Sequence, residues 1–176
     1  MEDTIYIIEG PDGSGKSTLS KYISDKLNID SHHLTYIRDE KEMFKQFAEA
    51  DEMFSLKDES CIFDRYILSN LVYGIVFHNC DFVTGWTLFL NNLLSKVSVR
   101  HNVHLIFCLP EKKFWMEKFE KLCKERDEMY IDVEKMSKVY DMFLMFYIMI
   151  SCNTNIRVTI IDPFVEDVEK IFNNEE

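Results

Sequence analysis

Short β-branched and aromatic runs alternate along this chain with stretches whose apolar residues recur at helical spacing. Thr4-Ile5-Tyr6-Ile7-Ile8 closes on Gly10-Pro11 and predicts a buried strand. After a glycine-rich loop, Leu19, Tyr22, Ile23 and Leu27 predict a helix that starts near Lys16, and Asn28 is placed to end it. Further strands are predicted at Leu34-Thr35-Tyr36-Ile37, Cys61-Ile62-Phe63, Val103–Leu109 and Val158–Ile161, separated by helix-compatible sequence. From about Glu111 to Glu125 a helical pattern puts Trp115, Phe119 and Leu122 on one face, with Lys118, Lys121 and Glu125 largely off it. A second helix, from Val133 to about Ile150, contains the longest apolar run, Met142–Ile150, and reads as buried.

Alternation of strand and helix implies an α/β fold with a five-stranded parallel sheet covered by helices on both faces. Ligands of such sheets bind at the carboxyl ends of the strands, where Glu9, Arg38, Asp64 and Asp162 place charged groups. No repeat or Pro/Gly-rich linker divides the 176 residues, so one domain, 1–176, is expected.

Composition narrows the function classes. A hydrophobic content of 47% supports one substantial core. The formal net charge of -11 works against a broad nucleic-acid or anionic-membrane surface, yet leaves room for a local basic pocket. Met142–Ile150 is far shorter than the roughly 20 residues that span a bilayer. The five cysteines are scattered without CxxC spacing, so they are expected to be buried free thiols, and neither HExxH nor GxSxG occurs. With no signal-like N-terminus, a reducing cytoplasm is expected, or a host's cytoplasm. Alanine occurs only at 48 and 50, which fits an AT-rich bacteriophage or low-GC bacterial gene.

The strongest chemical signal is Gly10-Pro11-Asp12-Gly13-Ser14-Gly15-Lys16-Ser17-Thr18, a GxxxxGK[ST] loop between a predicted strand and a predicted helix. Gly10, Gly13 and Gly15 let backbone N–H groups turn onto phosphate oxygens, together with Ser14, and the helix N-terminus points its dipole at the same anion. Lys16 is placed for the β- and γ-phosphates of ATP and Ser17 for Mg²⁺, while Thr18 reads first as a helix residue packing locally and second as an N–H donor to the α-phosphate. Asp12 is an odd residue for an anion loop unless it faces the acceptor. Asp64-Arg65-Tyr66 follows the third strand, so Asp64 is a candidate Mg²⁺ partner and Arg65 a candidate fork for an acceptor phosphate.

The chain resembles the thymidylate kinase family of P-loop nucleoside monophosphate kinases. The resemblance rests on Ile8-Glu9 with the glycine loop, on Asp64-Arg65-Tyr66 followed by Ser69 and Tyr73, and on Trp86. It continues through Leu109-Pro110-Glu111, Glu125-Arg126-Asp127-Glu128, Val139-Tyr140 and Ile160-Ile161-Asp162. It implies a P-loop NTPase-type fold and transfer of the ATP γ-phosphate to the 5′-phosphate of a deoxynucleoside monophosphate. In the family's terms Arg65 and Arg38 would hold the acceptor phosphate, with Tyr66, Ser69 and Tyr73 lining that side. Asp12 would approach the acceptor sugar or phosphate, and a lid around 112–130 would bring Arg126 as the catalytic cation.

Two departures are visible. The stretch Asp39–Ser60 is shorter than usual and lacks the Phe-x-x-x-Arg base-binding signature, leaving Phe47 and Phe54 as stacking candidates. Gly74 stands where the family often has glutamine. The family is commonly dimeric, so the Met142–Ile150 helix serves the core or a homodimer interface. Competing readings are a deoxynucleoside kinase, a DNA-acceptor kinase, and a nucleotide-binding protein without catalysis.

Overall fold

A computed structural model describes residues 4–35, 37, 39, 42, 45, 46, 49, 52, 59–92, 102–125, 132–153 and 156–172. Five parallel strands, β1 (Thr4–Glu9), β2 (Asp30–His33), β3 (Cys61–Asp64), β4 (Asn102–Cys108) and β5 (Arg157–Ile161), form one sheet in the order β2-β3-β1-β4-β5. Helices α1 (Lys16–Leu27), α2 (Ile67–His78), α3 (Phe82–Asn92), α4 (Lys112–Glu125) and α5 (Val133–Asn153) connect them. A 3₁₀ turn, Val168–Ile171, follows β5.

Side chains alternate across the sheet with the strand period of two, and this builds two cores. Ile5, Ile7, Phe63, Leu105 and Phe107 face α2, α4 and α5, meeting Leu68, Trp115, Phe143 and Phe146. Ile8, Ile62, Ile106 and Ile161 face the other way, onto Leu19 and Ile23 of α1 and Ile171 of the 3₁₀ turn. The result is three layers, with β1 central and buried on both sides.

The helix that begins at Lys16 ends where Asn28 adopts a left-handed backbone, φ 55°, and returns its N–H to Ser24. The second strand lies four residues before its predicted place. Asp30-Ser31-His32-His33 pairs with Cys61–Asp64, and Leu34 adds one more hydrogen bond, to the Asp64 carbonyl at 3.2 Å. An edge strand can expose its side chains, so polar residues serve there and the apolar run Leu34–Ile37 is not the ladder. The Val133–Asn153 helix is buried on one face only: Phe143, Phe146 and Ile150 are fully enclosed, whereas Met145 and Ile148 are 37% and 53% exposed. The cysteines are free, but Cys80 and Cys152 are exposed, contrary to expectation; Cys80 lies just past the α2 cap and Cys152 in the last turn of α5. Among the described residues no helix is long and apolar enough to cross a membrane.

Phe146 holds α3 to α5, stacking with Phe82 at 5.8 Å and Trp86 at 5.1 Å between ring centroids. Truncating a fully buried aromatic removes its burial and leaves a cavity, so Phe146→Ala is expected to cost about 3–5 kcal/mol. Urea denaturation of both proteins measures it, and a loss within about 1 kcal/mol would contradict the packing described.

Candidate active site

The parallel ladder brings three chain segments together at the carboxyl edge of the sheet. Ile8 is in register with Asp64 and Glu9 with Phe107, so the loop after β1 lies between the ends of β3 and β4. Two glycines are required by its path. Gly10 has φ 147°, and a Cβ there would stand 2.4 Å from the Cys108 carbonyl oxygen. Gly15 has φ 92° and receives Pro163 so closely that a Cβ would lie 2.7 Å from the proline ring. Pro163 and Phe164 belong to the turn after β5, which Asp162 organises by accepting the N–H groups of Phe164 at 3.0 Å and Glu111 at 3.3 Å.

Helix α1 therefore starts directly from the loop, its N-terminal N–H groups lacking side-chain caps. Such a start binds anions through free N–H groups and the helix dipole. Lys16 at its first position is buried, and its ammonium donates to the Pro11 carbonyl at 2.6 Å. Burial, then the Arg65 cation, brings its pKa down to about 8 against the pull of Asp12, Cys108 and Asp64. Ser17 and Thr18 are exposed at the helix start, and Ser14 is buried.

The Ser17 hydroxyl donates to Asp64 Oδ2 at 2.7 Å, and His33 Nδ1 lies 3.0 Å from the same oxygen. Asp64 Oδ1 is buried with no hydrogen-bond partner. A buried carboxylate oxygen without a donor, beside a hydroxyl on the glycine loop, matches the hard oxygen donors that Mg²⁺ takes.

On the other side of the loop, Arg65 forms an ion pair with Asp12. Asp12 is fixed from three directions: its N–H donates to the Tyr73 hydroxyl at 3.0 Å, its carbonyl accepts Trp115 Nε1–H at 2.8 Å, and its carboxylate meets the guanidinium. Burial works to raise the Asp12 carboxyl, but Arg65 and Lys16 outweigh it and hold it below the usual range. Arg65 Nε is buried without a hydrogen-bond partner, so the guanidinium has donor capacity left.

Tyr66 is fully buried, edge-on to Phe63, and Ser69 is 2% exposed with its hydroxyl donated to Glu9. These two residues pack and cap; the side chains brought to Asp12 are Arg65, Tyr73 and Trp115. Trp115, His33 and Asn70 carry no site signal in the sequence. Asn70 Oδ1 accepts the Ile37 N–H at 3.1 Å and so ties the segment after β2 to α2. Only the position of Glu9 at a strand end gave a signal. Arg38, Phe47, Phe54 and Arg126 lie outside the described residues.

No protein-family model matches the chain, and no curated protein matches it either. Solved structures do. Deoxyadenosine kinase from M. mycoides, with dCMP and a flexible dCDP bound, is 19% identical over 95% of this chain and 94% of that one, with a TM-score of 0.62. The same enzyme with dATP bound is 22% identical, over 96% and 95%, at 0.57. The YorR protein from Bacillus subtilis, in complex with phosphorylated GDP, is 17% identical over 95% and 90%, at 0.64. At these identities the likeness is one of fold: the three-layer α/β fold of P-loop kinases.

Glu9 is fully buried, and burial lifts its pKa to about 7 although Ser69 and Tyr66 donate hydrogen bonds to it. Because the folded value stands above the ordinary 4.5, the contribution of Glu9 to stability is complete at acid pH and is lost as pH rises to about 7. The loss amounts to roughly 3 kcal/mol. Glu9→Gln, which cannot ionise, is expected to flatten the stability profile over that window. Urea titrations at intervals from pH 4 to pH 8 measure this, and an unchanged slope in the variant would refute it.

Proposed function

We propose that this chain is an ATP- and Mg²⁺-dependent nucleotide kinase of thymidylate kinase type, which transfers the γ-phosphoryl group to the 5′-phosphate of a deoxynucleoside monophosphate. One observation carries the choice of acceptor: among the described residues, the group paired with Asp12 on the acceptor side of the loop is a guanidinium with a spare donor, Arg65, rather than a free carboxylate base. A hydroxyl acceptor needs a positioned base near neutrality. Asp12 is ion-paired and held in its ionised form, Asp64 is engaged by Ser17 and His33, and Glu9 is enclosed. A phosphate acceptor is already ionised and needs cations instead.

In this reading the loop N–H groups and the start of α1 cradle the donor phosphates, and Lys16 leaves the Pro11 carbonyl for the β- and γ-phosphates. Ser17 and Asp64 would hold Mg²⁺, and the ion would supply charge neutralisation at the phosphate oxygens. Arg65 orients the acceptor phosphate for in-line attack, aided by Arg38, while Asp12 accepts a hydrogen bond from the acceptor sugar. Arg126 would supply charge to the moving phosphoryl group. Catalysis is positioning and charge neutralisation, without a covalent intermediate.

A hydroxyl acceptor is the second reading, because one of the similar structures is a deoxyadenosine kinase. Incubation with ATP and Mg²⁺ across deoxynucleoside monophosphates, ribonucleotides, nucleosides and 5′-hydroxyl oligonucleotides, read by mass spectrometry, separates the two. The expected products are ADP and a deoxynucleoside diphosphate. Phosphorylation of nucleosides alone would replace this reading with the second, and ATP binding without turnover on any acceptor would leave a non-catalytic nucleotide-binding protein. Arg65→Ala is expected to raise the acceptor KM on the order of 10²-fold. Lys16→Ala is expected to lower kcat by about 10²–10³-fold.

A further inference from the structure

Helix α2 starts without a cap of its own. Its N-cap residue, Tyr66, has an extended backbone and makes no side-chain capping hydrogen bond. The first-turn N–H groups are enclosed and still require acceptors. Two N–H groups of this start, one on the cap residue and one in the first turn, find theirs on Glu9: Oε1 accepts Tyr66 N–H at 2.9 Å and Ser69 N–H at 3.3 Å, and Oε2 accepts the Ser69 hydroxyl. In a capping box the reciprocal acid comes from the same helix. Here it comes from the strand that leads into the phosphate loop.

Arg65 stands immediately before that cap, and its backbone is left-handed, φ 77°. Residues with a side chain hold this conformation only where their surroundings impose it. Two successive N–H groups are held by two successive residues of β1: Arg65 N–H donates to the Ile8 carbonyl at 3.0 Å, and Tyr66 N–H donates to Glu9. The turn between them sends the guanidinium to Asp12 and to the face of Tyr73, 6.0 Å from the ring centroid.

We infer that Glu9 is a positioning residue for Arg65. Its carboxyl group locks the left-handed turn at the start of α2 and so holds the guanidinium on the acceptor side of the loop. Glu9 is fully buried, so the role assigned to it runs through Arg65 and not through contact with a substrate. That the turn serves an acceptor phosphate rests on the function proposed above; the clamp does not.

Glu9→Ala, Glu9→Gln and Ser69→Ala test this in the full chain, with steady-state kinetics for both substrates and amide hydrogen exchange at Tyr66 and Ser69 by NMR. Removing acceptors from buried N–H groups in Glu9→Ala is expected to raise the acceptor KM by about tenfold or more, with the ATP KM within about twofold of wild type. The glutamine keeps an acceptor oxygen for both N–H groups, and the Ser69 hydroxyl can turn to accept from its amide, so Glu9→Gln restores the acceptor KM. Exchange at Tyr66 and Ser69 accelerates in Glu9→Ala and not in Glu9→Gln. Equal changes in both KM values, or an unchanged acceptor KM in folded Glu9→Ala, would overturn the assignment. Should Glu9→Ala fail to fold, Ser69→Ala decides: a selective rise of about threefold in the acceptor KM supports the clamp, and no rise refutes it. If the wild type phosphorylates no monophosphate, the acceptor reading fails, and the exchange rates alone decide the clamp.

Discussion

The hydrogen bond from the Arg65 N–H to the Ile8 carbonyl marks where the β1–β3 ladder ends, and the site is laid out from that point. Register along the ladder puts Asp64 beside Ile8, two residues before Gly10. The Asp64 carboxylate can then meet Ser17 on one side of the loop, while Arg65, one residue on, meets Asp12 on the other. A slip of one residue would turn these side chains to the opposite faces of the sheet and exchange the two cores. The two apolar clusters, packed on alternate residues of the same strands, hold the register against such a slip.

Charge is concentrated at this edge and balanced locally. Lys16, Arg65, Asp12 and Asp64 lie within reach of one another, with Lys16 and Asp64 almost wholly buried. Unbalanced, such a group of ions would oppose folding through desolvation. The Asp12–Arg65 pair and the Lys16–Pro11 hydrogen bond give each cation a partner. Both contacts are ones a phosphate can replace, because it brings several oxygens and more charge than either partner.

Some of this was legible in the sequence. The glycine loop was readable because its pattern fixes glycine, lysine and a hydroxyl residue at set spacing between a strand and a helix, and Asn28 was readable because a left-handed cap favours asparagine. The layered α/β order followed from strand and helix periods. Other features depend on partners far away in the chain: the indole of Trp115 on the Asp12 carbonyl spans 103 residues, and Glu9 on Ser69 spans 60. Nothing near Trp115 distinguishes an indole that steadies the loop from one that fills the core, and it does both. Tyr66 and Ser69 enter as site residues through the family resemblance, and the sequence around them does not show that the start of the helix turns both side chains inward.

The second strand was hidden for a different reason: Asp30, Ser31, His32 and His33 carry no apolar signature at all. They form one border of the sheet, where Asp30, Ser31 and His33 are exposed. A border strand leaves a row of backbone donors and acceptors that a strand from another molecule could adopt, and a flat apolar border invites such stacking. Here the border is short, hydrated and able to carry charge, so the polarity that disguises the strand also discourages chains from joining edge to edge at high concentration.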